Sequence, residues 1–423
     1  MEKIIINGGK RLQGEVYISG AKNAVLGILP ATVLCSGRCV LENLPDIQDI
    51  RNYISILKKL GAVVTKEENG DTVVDTSNII YENVSEIEEE STKMRASYYL
   101  LGALLAKYKK VRLPFPGGCE IGERPIDLHI KGFRALGAEV VIENDFIEMY
   151  ADKLKGTSIY FDVVSVGATI NIMLAAVLAC GITTIENAAK EPHVVDIANF
   201  LNLAGANIKG AGTDTVKITG VSELHPVVYA PIPDQITAGT YMIAAAATCG
   251  DVLIKNIIPE HLEAISLKLI EMGSEVISFD DSVRVIGKRP FMPIMLKTLP
   301  YPGFPTDLQQ PMGVLMSIAE GTSFLQENIF EKRFEYIAEL MKMGADAVIE
   351  GNTVTFNGVK TLKGTAIRST DLRAGAAMII AGLIAEGTTE VYELRHIDRG
   401  YDRLVERLQD IGSDIVRVGE EEE

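Results

Sequence analysis

The chain has few cysteines and no paired cysteine motif. Its five cysteines, at positions 35, 39, 119, 180 and 249, lack Cys-x-x-Cys spacing and are odd in number. Both features argue against a disulfide framework and favour a reducing, cytoplasmic environment. Four of them lie among Ala and Leu at the ends of apolar segments, so we expect Cys35, Cys39, Cys180 and Cys249 to be small packing residues.

Long apolar runs and paired histidines are also lacking. The most apolar run, 172–180, is far shorter than the roughly 20 residues that span a bilayer. The first residues, Met-Glu-Lys-Ile-Ile-Ile, do not resemble a secretory signal. The histidines are not spaced for metal ligation, so we expect no metal. The glycine-rich stretch 210–212 fits a hairpin turn rather than a dinucleotide fingerprint, and we expect no other cofactor.

Positive charge is in deficit. The chain has 41 basic and 57 acidic residues and a net charge of -16. This balance argues against nucleic acid or an acidic membrane surface as a general partner, so an anionic substrate would need a local cluster of Lys and Arg. With 423 residues, 47% of them hydrophobic, the chain is too long for one ordinary core, and we expect two domains. The sequence does not specify an oligomeric state.

One short pattern occurs six times. In each copy a helical segment ends at a glycine that precedes a β-rich pair, and these glycines are Gly61, Gly137, Gly205, Gly273, Gly344 and Gly412. A glycine at this place is typical of a left-handed helix C-cap. Their intervals of 76, 68, 68, 71 and 68 residues indicate a repeated supersecondary unit.

A second, alanine-rich helix recurs with the same spacing, beginning near positions 22, 93, 165, 235, 307 and 371. Five of these helices are predicted to end at Gly37, Gly181, Gly250, Gly321 and Gly387, while Lys109-Lys110 replaces the glycine in the second copy. Short β-rich runs follow. The pattern therefore predicts an α/β fold made of six βαβαββ-type units.

The repeats are offset at the two ends of the chain. The sixth copy ends after Val418 without its remaining strands, whereas the first 21 residues supply strands with no helix before them. We therefore expect the N-terminus to complete the sixth unit. Three units per lobe then give one lobe of residues 22–232 and another of residues 1–21 and 233–423. The cleft between two such lobes is the default ligand site.

Conspicuous polar residues occur at two equivalent places of the repeat, namely the start of the apolar helix and the loop after the following strand. The helix starts carry Lys22, Asn23, Arg95, Ser165, Val166, Gly167, Asp307, Asp371 and Arg373, and the loops carry Cys119, Arg124, Glu191, Arg333 and Arg399. Repeat symmetry predicts that they line facing ends of the lobes. Helix N-termini there would favour phosphate.

The loop from Pro116 to Pro125 has the most informative composition. It places Cys119 on glycine-rich backbone five residues before Arg124. Glycine lets the main chain approach a ligand closely, and a guanidinium binds phosphate or carboxylate at two points. Nearby positive charge also changes how readily a thiol loses its proton. An anion-handling active site is indicated, with an ordinary turn holding a half-buried thiol as the alternative.

The other candidates have structural alternatives as well. Lys22 and Asn23 could be solvated residues at a helix start, and Asp307 and Asp371 could be simple N-caps. Arg333 and Arg399 could be surface ion pairs of little energetic value. Glu191, which precedes Pro192, could simply end a turn.

Taken together, the motifs resemble those of the UDP-N-acetylglucosamine 1-carboxyvinyltransferase family, over the whole chain. They are Ser19–Asn23, Met94–Ser97, the loop 119–129, Ser165–Thr169, Glu186–Ala189, Phe304–Asp307, Thr370–Arg373 and His396–Tyr401. The resemblance implies a two-lobed inside-out α/β barrel whose lobes close on substrate. It also implies addition–elimination chemistry that moves the enolpyruvyl group of phosphoenolpyruvate to the 3′-hydroxyl of UDP-N-acetylglucosamine and releases phosphate, at the start of peptidoglycan synthesis.

The resemblance also implies roles for single residues. Cys119 would be a proton donor able to bond covalently to substrate, and Asp307 would be the base. Lys22, Arg124 and Arg399 would hold phosphate and carboxylate, and Asn23 would contact the substrate or the tetrahedral intermediate. Asp371 and Arg373 would make supporting or closure contacts. The remaining substrate-binding positions implied are Arg95, Pro125, Ile126, Asp127, Leu128, Val163, Val164, Ser165, Val166, Gly167, Glu191, Ile329 and Arg333.

Two departures and two alternatives accompany this resemblance. Some members carry Lys at the position of Val163, and many carry Arg at the position of Gln235, so we expect altered nucleotide affinity with the chemistry retained. One alternative is 5-enolpyruvylshikimate-3-phosphate synthase, which shares the architecture and chemistry but whose pattern lacks the Cys119 loop. The other is a catalytically silent paralogue that binds the sugar nucleotide and regulates cell-wall synthesis.

Overall fold

The computed structural model describes residues 2–115, 126–143 and 146–419. These residues divide into two compact units. The central unit comprises the described residues of Gly20–Ile232, and the terminal unit comprises those of Met1–Ser19 and Pro233–Glu423. Both units are of the α/β type, with mixed parallel and antiparallel sheets.

The elements of the first half follow in chain order. Strands β1 (Lys3–Asn7) and β2 (Gln13–Tyr17) belong to the terminal unit. The helices of the central unit are α1 (Lys22–Cys35), α2 (Gln48–Lys59), α3 (Glu88–Lys93), α4 (Tyr99–Tyr108), α5 (Asp127–Ala135), α6 (Val166–Ala176) and α7 (Pro192–Leu203). Its strands are β3 (Arg38–Leu41), β4 (Val63–Lys66), β5 (Thr72–Asp75), β6 (Lys110–Pro114), β7 (Glu139–Glu143), β8 (Phe146–Tyr150), β9 (Ser158–Tyr160), β10 (Ile182–Glu186), β11 (Asn207–Lys209), β12 (Thr215–Thr219) and β13 (Val228–Tyr229).

The rest of the terminal unit continues the same alternation. Its helices are α8 (Gln235–Ala247), α9 (Glu263–Glu271), α10 (Gln309–Met316), α11 (Glu335–Lys342), α12 (Leu372–Ile384), α13 (Arg395–Asp398) and α14 (Leu404–Asp410). Its further strands are β14 (Asp251–Lys255), β15 (Glu275–Ser278), β16 (Ser282–Ile286), β17 (Met295–Lys297), β18 (Thr322–Gln326), β19 (Asp346–Glu350), β20 (Thr353–Asn357), β21 (Ala366–Arg368), β22 (Thr388–Tyr392) and β23 (Asp414–Val418). Short 3-10 helices span Tyr81–Ile87, Arg95–Tyr98, Pro259–Leu262 and Thr306–Leu308.

Six sheets form among the described residues, and five of them share one strand pattern. In each of the five, a parallel pair is extended by two antiparallel strands, as in β9-β10-β12-β11, β13-β3-β5-β4, β2-β14-β16-β15, β17-β18-β20-β19 and β21-β22-β1-β23. The sixth sheet, β6-β8-β7, has the antiparallel part alone. One strand arrangement therefore recurs along the chain.

The first two strands pair with sheets far away in sequence. Strand β1 lies between β22 and β23, with Ile4 opposite both Val391 and Arg417. This pairing confirms the expectation that the N-terminus supplies a strand to the sixth unit. Strand β2 instead pairs in parallel with β14, in a different sheet. The repeat pattern did not predict this second pairing, because it treated both N-terminal strands as parts of the last unit.

Each unit has its own apolar core built around helices that are buried on nearly every side. In the central unit these are α1, α4 and α6, and in the terminal unit they are α8, α10 and α12. A helix that is apolar all round belongs in a protein interior. Their first turns, which carry most of the predicted site residues, are therefore fixed by the packing of the whole helix.

The six glycines of the short pattern confirm the prediction of left-handed helix ends. Their φ angles lie between 93° and 106°. The second set behaves differently. Gly181, Gly321 and Gly387 have positive φ, but in three other copies the left-handed residue is Ser36, Lys109 or Cys249. Gly37 and Gly250 follow two of these residues and are needed for close packing, since a Cβ would clash with Pro226 and with the main chain of Leu12.

Replacing Gly344 by Ala should lower the free energy of unfolding by about 1 kcal/mol, because Gly344 has a φ of 95° that a Cβ disfavours. No atom lies within 4 Å of the added Cβ, so a clash contributes nothing. Asn tolerates this conformation better, so Gly344→Asn should lose less. Urea unfolding of the three proteins measures both differences, and equal stability of the Ala variant and the native chain would contradict the assignment.

Candidate active site

A carboxylate between two guanidiniums is the central feature of the terminal unit. Asp307 lies in the 3-10 turn before α10, Arg333 lies shortly before α11, and Arg373 lies in the first turn of α12. Oδ1 of Asp307 accepts a hydrogen bond from Arg333 Nη2 at 2.8 Å, and Oδ2 accepts from Arg373 Nη2 at 2.9 Å and Nε at 3.1 Å. Three residues that the sequence predicted separately thus form one cluster.

The electrostatics of this cluster keep Asp307 ionised. Burial acts to raise the pKa of Asp307, but the charges of Arg373 and Arg333 and their hydrogen bonds outweigh it and hold that pKa well below its usual range. The Arg333 and Arg373 side chains are 6% and 4% exposed, whereas that of Asp307 is 23% exposed. Two guanidiniums therefore surround one carboxylate, with the buried carboxylates of Asp371 and Glu327 adjacent to them.

The capping alternative is wrong for Asp307 and correct for Asp371. The Asp307 side chain makes no cap bond and accepts from the two arginines instead. Asp371 caps α12, since its Oδ1 accepts from the main-chain N–H groups of Arg373 at 2.8 Å and Ala374 at 3.0 Å. Its Oδ2 accepts from Gln310 Nε2 at 2.8 Å. This cap fixes the helix turn that carries Arg373.

Each of the two arginines also contacts an aromatic ring, and Arg333 donates a hydrogen bond to a hydroxyl group. The guanidinium of Arg333 lies 5.0 Å from the ring centre of Phe330, and its Nη1 donates to Thr306 Oγ1 at 2.9 Å. The guanidinium of Arg373 lies 5.4 Å from the ring centre of Tyr401. Arg333 is therefore not the surface ion pair offered as an alternative, because it is buried and has several partners. Sequence reasoning missed Thr306, Phe330 and Tyr401 as parts of this arrangement.

In the central unit, Lys22 is buried and paired. It is the first residue of α1, and its Nζ lies 2.8 Å from Oδ2 of Asp49, which is also buried. The alternative of a solvated lysine is therefore wrong. Its neighbour Asn23 is half-buried. Sequence reasoning missed Asp49, since nothing in the Gln48–Lys59 segment distinguishes it from an ordinary acidic residue in a first helix turn.

A second group in the central unit joins three of the predicted segments. Arg95 lies with its guanidinium 5.4 Å from the ring centre of Tyr98, and the Tyr98 ring meets that of His129 edge-on at 4.7 Å. Gly167 packs against both rings, where a Cβ would clash with the Tyr98 hydroxyl. Asn171 completes the group, since its Nδ2 lies 3.2 Å from His129 Nδ1 and donates to the main-chain oxygen of Tyr98 at 2.8 Å.

The remaining candidates have less specific surroundings. Ser165 caps α6 by accepting from the Ala168 N–H at 3.3 Å. Leu128 is buried, Asp127, Val163 and Val164 are exposed, and Ile126, Val166, Glu191, Ile329 and Arg399 are half-buried. Glu191 directly precedes α7. Cys119, Arg124 and Pro125 lie outside the described residues.

The cysteine prediction is right in two places and wrong in one. Cys35 and Cys39 are buried, as expected of packing residues. Cys180 is exposed, because it lies in the turn after α6 rather than inside the helix packing. Cys249 is half-buried, with a positive φ.

Neither a metal-ligand cluster nor a membrane-spanning helix is present in the part of the chain that the structure describes. In residues 2–115, 126–143 and 146–419, no three His, Cys, Asp or Glu side chains are grouped so that they could hold a metal ion. No helix in the same ranges is both long enough and apolar enough to cross a membrane.

Comparison with known proteins defines the class. The family model of EPSP synthase (3-phosphoshikimate 1-carboxyvinyltransferase) matches residues 6–408, and the chain belongs to this family. Within it, the chain is similar to UDP-N-acetylglucosamine 1-carboxyvinyltransferase 3 of Caldanaerobacter subterraneus subsp. tengcongensis, with 56% identity over 420 residues that cover 99% of this chain and 100% of the relative. It is also similar to the UDP-N-acetylglucosamine 1-carboxyvinyltransferase of Clostridium botulinum, with 56% identity over 419 residues that cover 99% of this chain and 100% of the relative.

Solved structures agree with this placement. The enolpyruvyl transferase NikO from Streptomyces tendae superimposes with a TM-score of 0.86 at 26% identity, and the match covers 99% of both chains. The EPSP synthase of Acinetobacter baumannii has a TM-score of 0.74 at 17% identity, over 99% of this chain and 100% of that one. The second likeness shows a shared fold alone.

His129 should make the protein less stable in acid. Burial, and then the charge of Arg95, lower its pKa to about 3 from the ordinary 6.5. Between pH 6.5 and 3 the unfolded chain therefore binds a proton at this histidine that the folded chain does not. The stabilisation is complete above pH 6.5 and is lost as the pH falls to 3, with a total loss on the order of 5 kcal/mol.

The variant His129→Asn keeps an acceptor near Nδ1 but cannot take up a proton, so its unfolding free energy should depend less on pH in this window. Urea unfolding at several pH values measures the slope. The exposed His225 provides the control, because His225→Asn should leave the slope unchanged. Equal slopes in all three proteins would contradict the assignment.

Proposed function

We propose that the chain transfers the enolpyruvyl group of phosphoenolpyruvate to the 3′-hydroxyl of UDP-N-acetylglucosamine and releases phosphate, the first committed step of peptidoglycan synthesis. The observation that carries this proposal is the 56% identity over nearly the full length to enzymes named for that reaction. The cluster of Asp307, Arg333 and Arg373 supports it with suitable groups for an anionic substrate. The proposed partners are therefore the two small molecules, with a cytoplasmic location favoured by the sparse, unpaired cysteines.

We also propose the finer architecture, an inside-out α/β barrel of two lobes with three units each, formed by residues 22–232 and by residues 1–21 with 233–423. The recurring strand pattern supports six related units, although one of the six sheets lacks its parallel strand. The likeness to NikO over 99% of both chains supports the same arrangement.

The chemistry needs a proton donor at the methylene carbon and a base at the sugar hydroxyl. Asp307 suits the second role because it stays ionised. In the proposed addition, its carboxylate takes the hydroxyl proton while the hydroxyl oxygen bonds to the enol carbon, and the Cys119 thiol protonates the methylene carbon. Elimination then returns a proton from the new methyl group to the Cys119 thiolate as the C–O bond to phosphate breaks, which restores the thiol. A carboxyl group of low pKa holds its proton weakly, so Asp307 gives the proton that it accepted to solvent or to the released phosphate.

The phosphate and carboxylate groups of the substrate need cations. Lys22, Arg124 and Arg399 are proposed for this role, and the ion pair of Lys22 with Asp49 fixes the position of its ammonium group. Within the Asp307 cluster, two buried donors lack a hydrogen-bond partner among the described residues, namely Nε of Arg333 and Nη1 of Arg373. A buried donor without a partner is costly, so a substrate oxygen that satisfies it is favoured.

The sugar nucleotide is proposed to contact the central unit around the Arg95–Tyr98–His129 group. Arg95 and Gly167 already meet through Tyr98, which brings two of the predicted contact segments together. The further contacts proposed for the sugar nucleotide are Asn23, Arg124, Pro125, Ile126, Asp127, Leu128, Val163, Val164, Ser165, Val166, Glu191 and Ile329.

The acceptor specificity is tested with purified protein and phosphoenolpyruvate. Phosphate release should require UDP-N-acetylglucosamine, and shikimate 3-phosphate should not replace it, because the full-length identity is to the sugar-nucleotide enzymes. A colorimetric phosphate assay with each acceptor measures this. Comparable release with shikimate 3-phosphate would favour the EPSP synthase alternative, and no release with either would favour the silent paralogue.

The variant Asp307→Asn should lower kcat by about 100-fold or more, the range expected when a general base is lost. Nucleotide binding, measured by calorimetry, should change much less, since the amide keeps the shape of the side chain. The control is Asp251→Asn, which also breaks a two-point pairing with an arginine, Arg284, but in an exposed place. Its kcat should stay within about twofold. Similar losses in both variants, or an Asp307→Asn protein that does not fold, would favour a structural role.

A further inference from the structure

Glu327 is a buried carboxylate directly after β18, and no motif in the sequence drew attention to it. It is 3% exposed and accepts four hydrogen bonds. Oε1 accepts from Thr298 Oγ1 at 2.8 Å and from the main-chain N–H groups of Ile329 at 2.7 Å and Phe330 at 3.2 Å. Oε2 accepts from Thr306 Oγ1 at 2.8 Å.

The first path from Glu327 to the cluster runs through Thr306. A threonine hydroxyl has one proton, and here that proton is donated to Glu327. Because that proton points to Glu327, the lone pairs of the Thr306 oxygen are available to accept from other donors. Arg333 Nη1 donates to this oxygen at 2.9 Å. Without the carboxylate, the hydroxyl could rotate and present its proton to the guanidinium. Glu327 therefore sets the direction in which Thr306 can hold Arg333.

The second path runs through Phe330. The bond from its N–H to Glu327 fixes the main chain that carries the ring, and the guanidinium of Arg333 lies 5.0 Å from the centre of that ring. A ring face attracts a guanidinium and restricts its plane. Arg333 is thus held on two sides by groups that share one anchor, and its Nη2 reaches Asp307 at 2.8 Å.

We propose that Glu327 is a positioning residue for the reaction: through Thr306 and Phe330 it orients Arg333, and through Arg333 it orients the carboxylate of Asp307. This inference rests on the proposed function, in which Asp307 is the base. A rotated carboxylate would meet the sugar hydroxyl at a poorer angle, and displacements of this size strongly affect rates. The loss should appear in kcat, because none of the described contacts of Glu327 requires it to touch the substrate.

Glu339 offers a matched control. It is a glutamate of the same unit, 8% exposed, and its carboxylate accepts from the Arg368 N–H at 3.0 Å and from Lys342 Nζ at 2.7 Å. None of these partners belongs to the Asp307 cluster. Glu339→Gln therefore carries the cost of altering a buried, hydrogen-bonded carboxylate without the proposed link to the base.

The experiment compares the full-length native protein with Glu327→Gln, Arg333→Lys, the double variant and Glu339→Gln. Turnover is measured with both substrates at saturation and over a range of phosphoenolpyruvate concentrations. Glu327→Gln should lower kcat about tenfold or more, while its KM for phosphoenolpyruvate changes less than about threefold. In the Arg333→Lys background the same change should lower kcat less than threefold, since lysine cannot join Thr306 and Asp307 through one planar group. Glu339→Gln should stay within twofold.

Turnover of the native protein tests the proposed function before any variant is compared. Melting temperatures of the same proteins need no acceptor, and they should show that the double variant loses less than the sum of the single variants. If Glu327→Gln does not fold, Thr306→Val breaks the first of the two paths at one hydroxyl and should lower kcat at least about threefold, and an unchanged kcat in that variant would also overturn the inference.

Two kinetic results would overturn the inference: an equal kcat loss from Glu327→Gln in both backgrounds, and kcat losses in Glu327→Gln and Glu339→Gln that are fully explained by the fraction of unfolded protein in each. A third such result is a melting-temperature loss in the double variant equal to the sum of the losses in the single variants. Failure of the native protein to release phosphate would instead count against the proposed function, and the melting temperatures would then decide the coupling alone.

Discussion

The placement of Asp307 between two buried guanidiniums is the constraint on which the rest of the account depends. The ion pairs of Arg333 and Arg373 with Asp307 join a 3-10 turn, a loop before α11 and the first turn of α12. Removing one member would leave buried charge without compensation, which is costly. The same arrangement keeps the carboxylate ionised. Stability and chemistry therefore depend on the same three side chains.

The repeat explains why such residues can be assembled at all. Apolar helices α10 and α12 are locked into the core along their length, so their first turns are rigid places for polar groups. The Asp371 cap then fixes the turn of Arg373, and Glu327, directly after β18, fixes the loop before Arg333. Packing along the whole helices makes their first turns rigid, and hydrogen bonds at the ends of helices and strands orient the side chains of the site.

Much of the fold followed from local patterns. A glycine after a helix has a local physical cause, so the six left-handed helix ends were predictable, and so was an alternating α/β chain. The pairing of β2 with β14 was not, because strand partners depend on tertiary packing. The same limit applies to the site. Sequence identified Lys22, Asp307, Arg333 and Arg373 as candidates, but Asp49, Thr306 and Glu327 acquire meaning only from neighbours that are distant in sequence.

The account's central claim is that the ionised carboxylate of Asp307 receives the sugar hydroxyl. A crystal structure with UDP-N-acetylglucosamine bound tests it most directly. The account predicts the 3′-hydroxyl oxygen within about 3 Å of an Asp307 carboxylate oxygen, with Arg333 and Arg373 still paired to that side chain. A bound sugar whose 3′-hydroxyl points away from Asp307, toward another base or toward solvent, would contradict it.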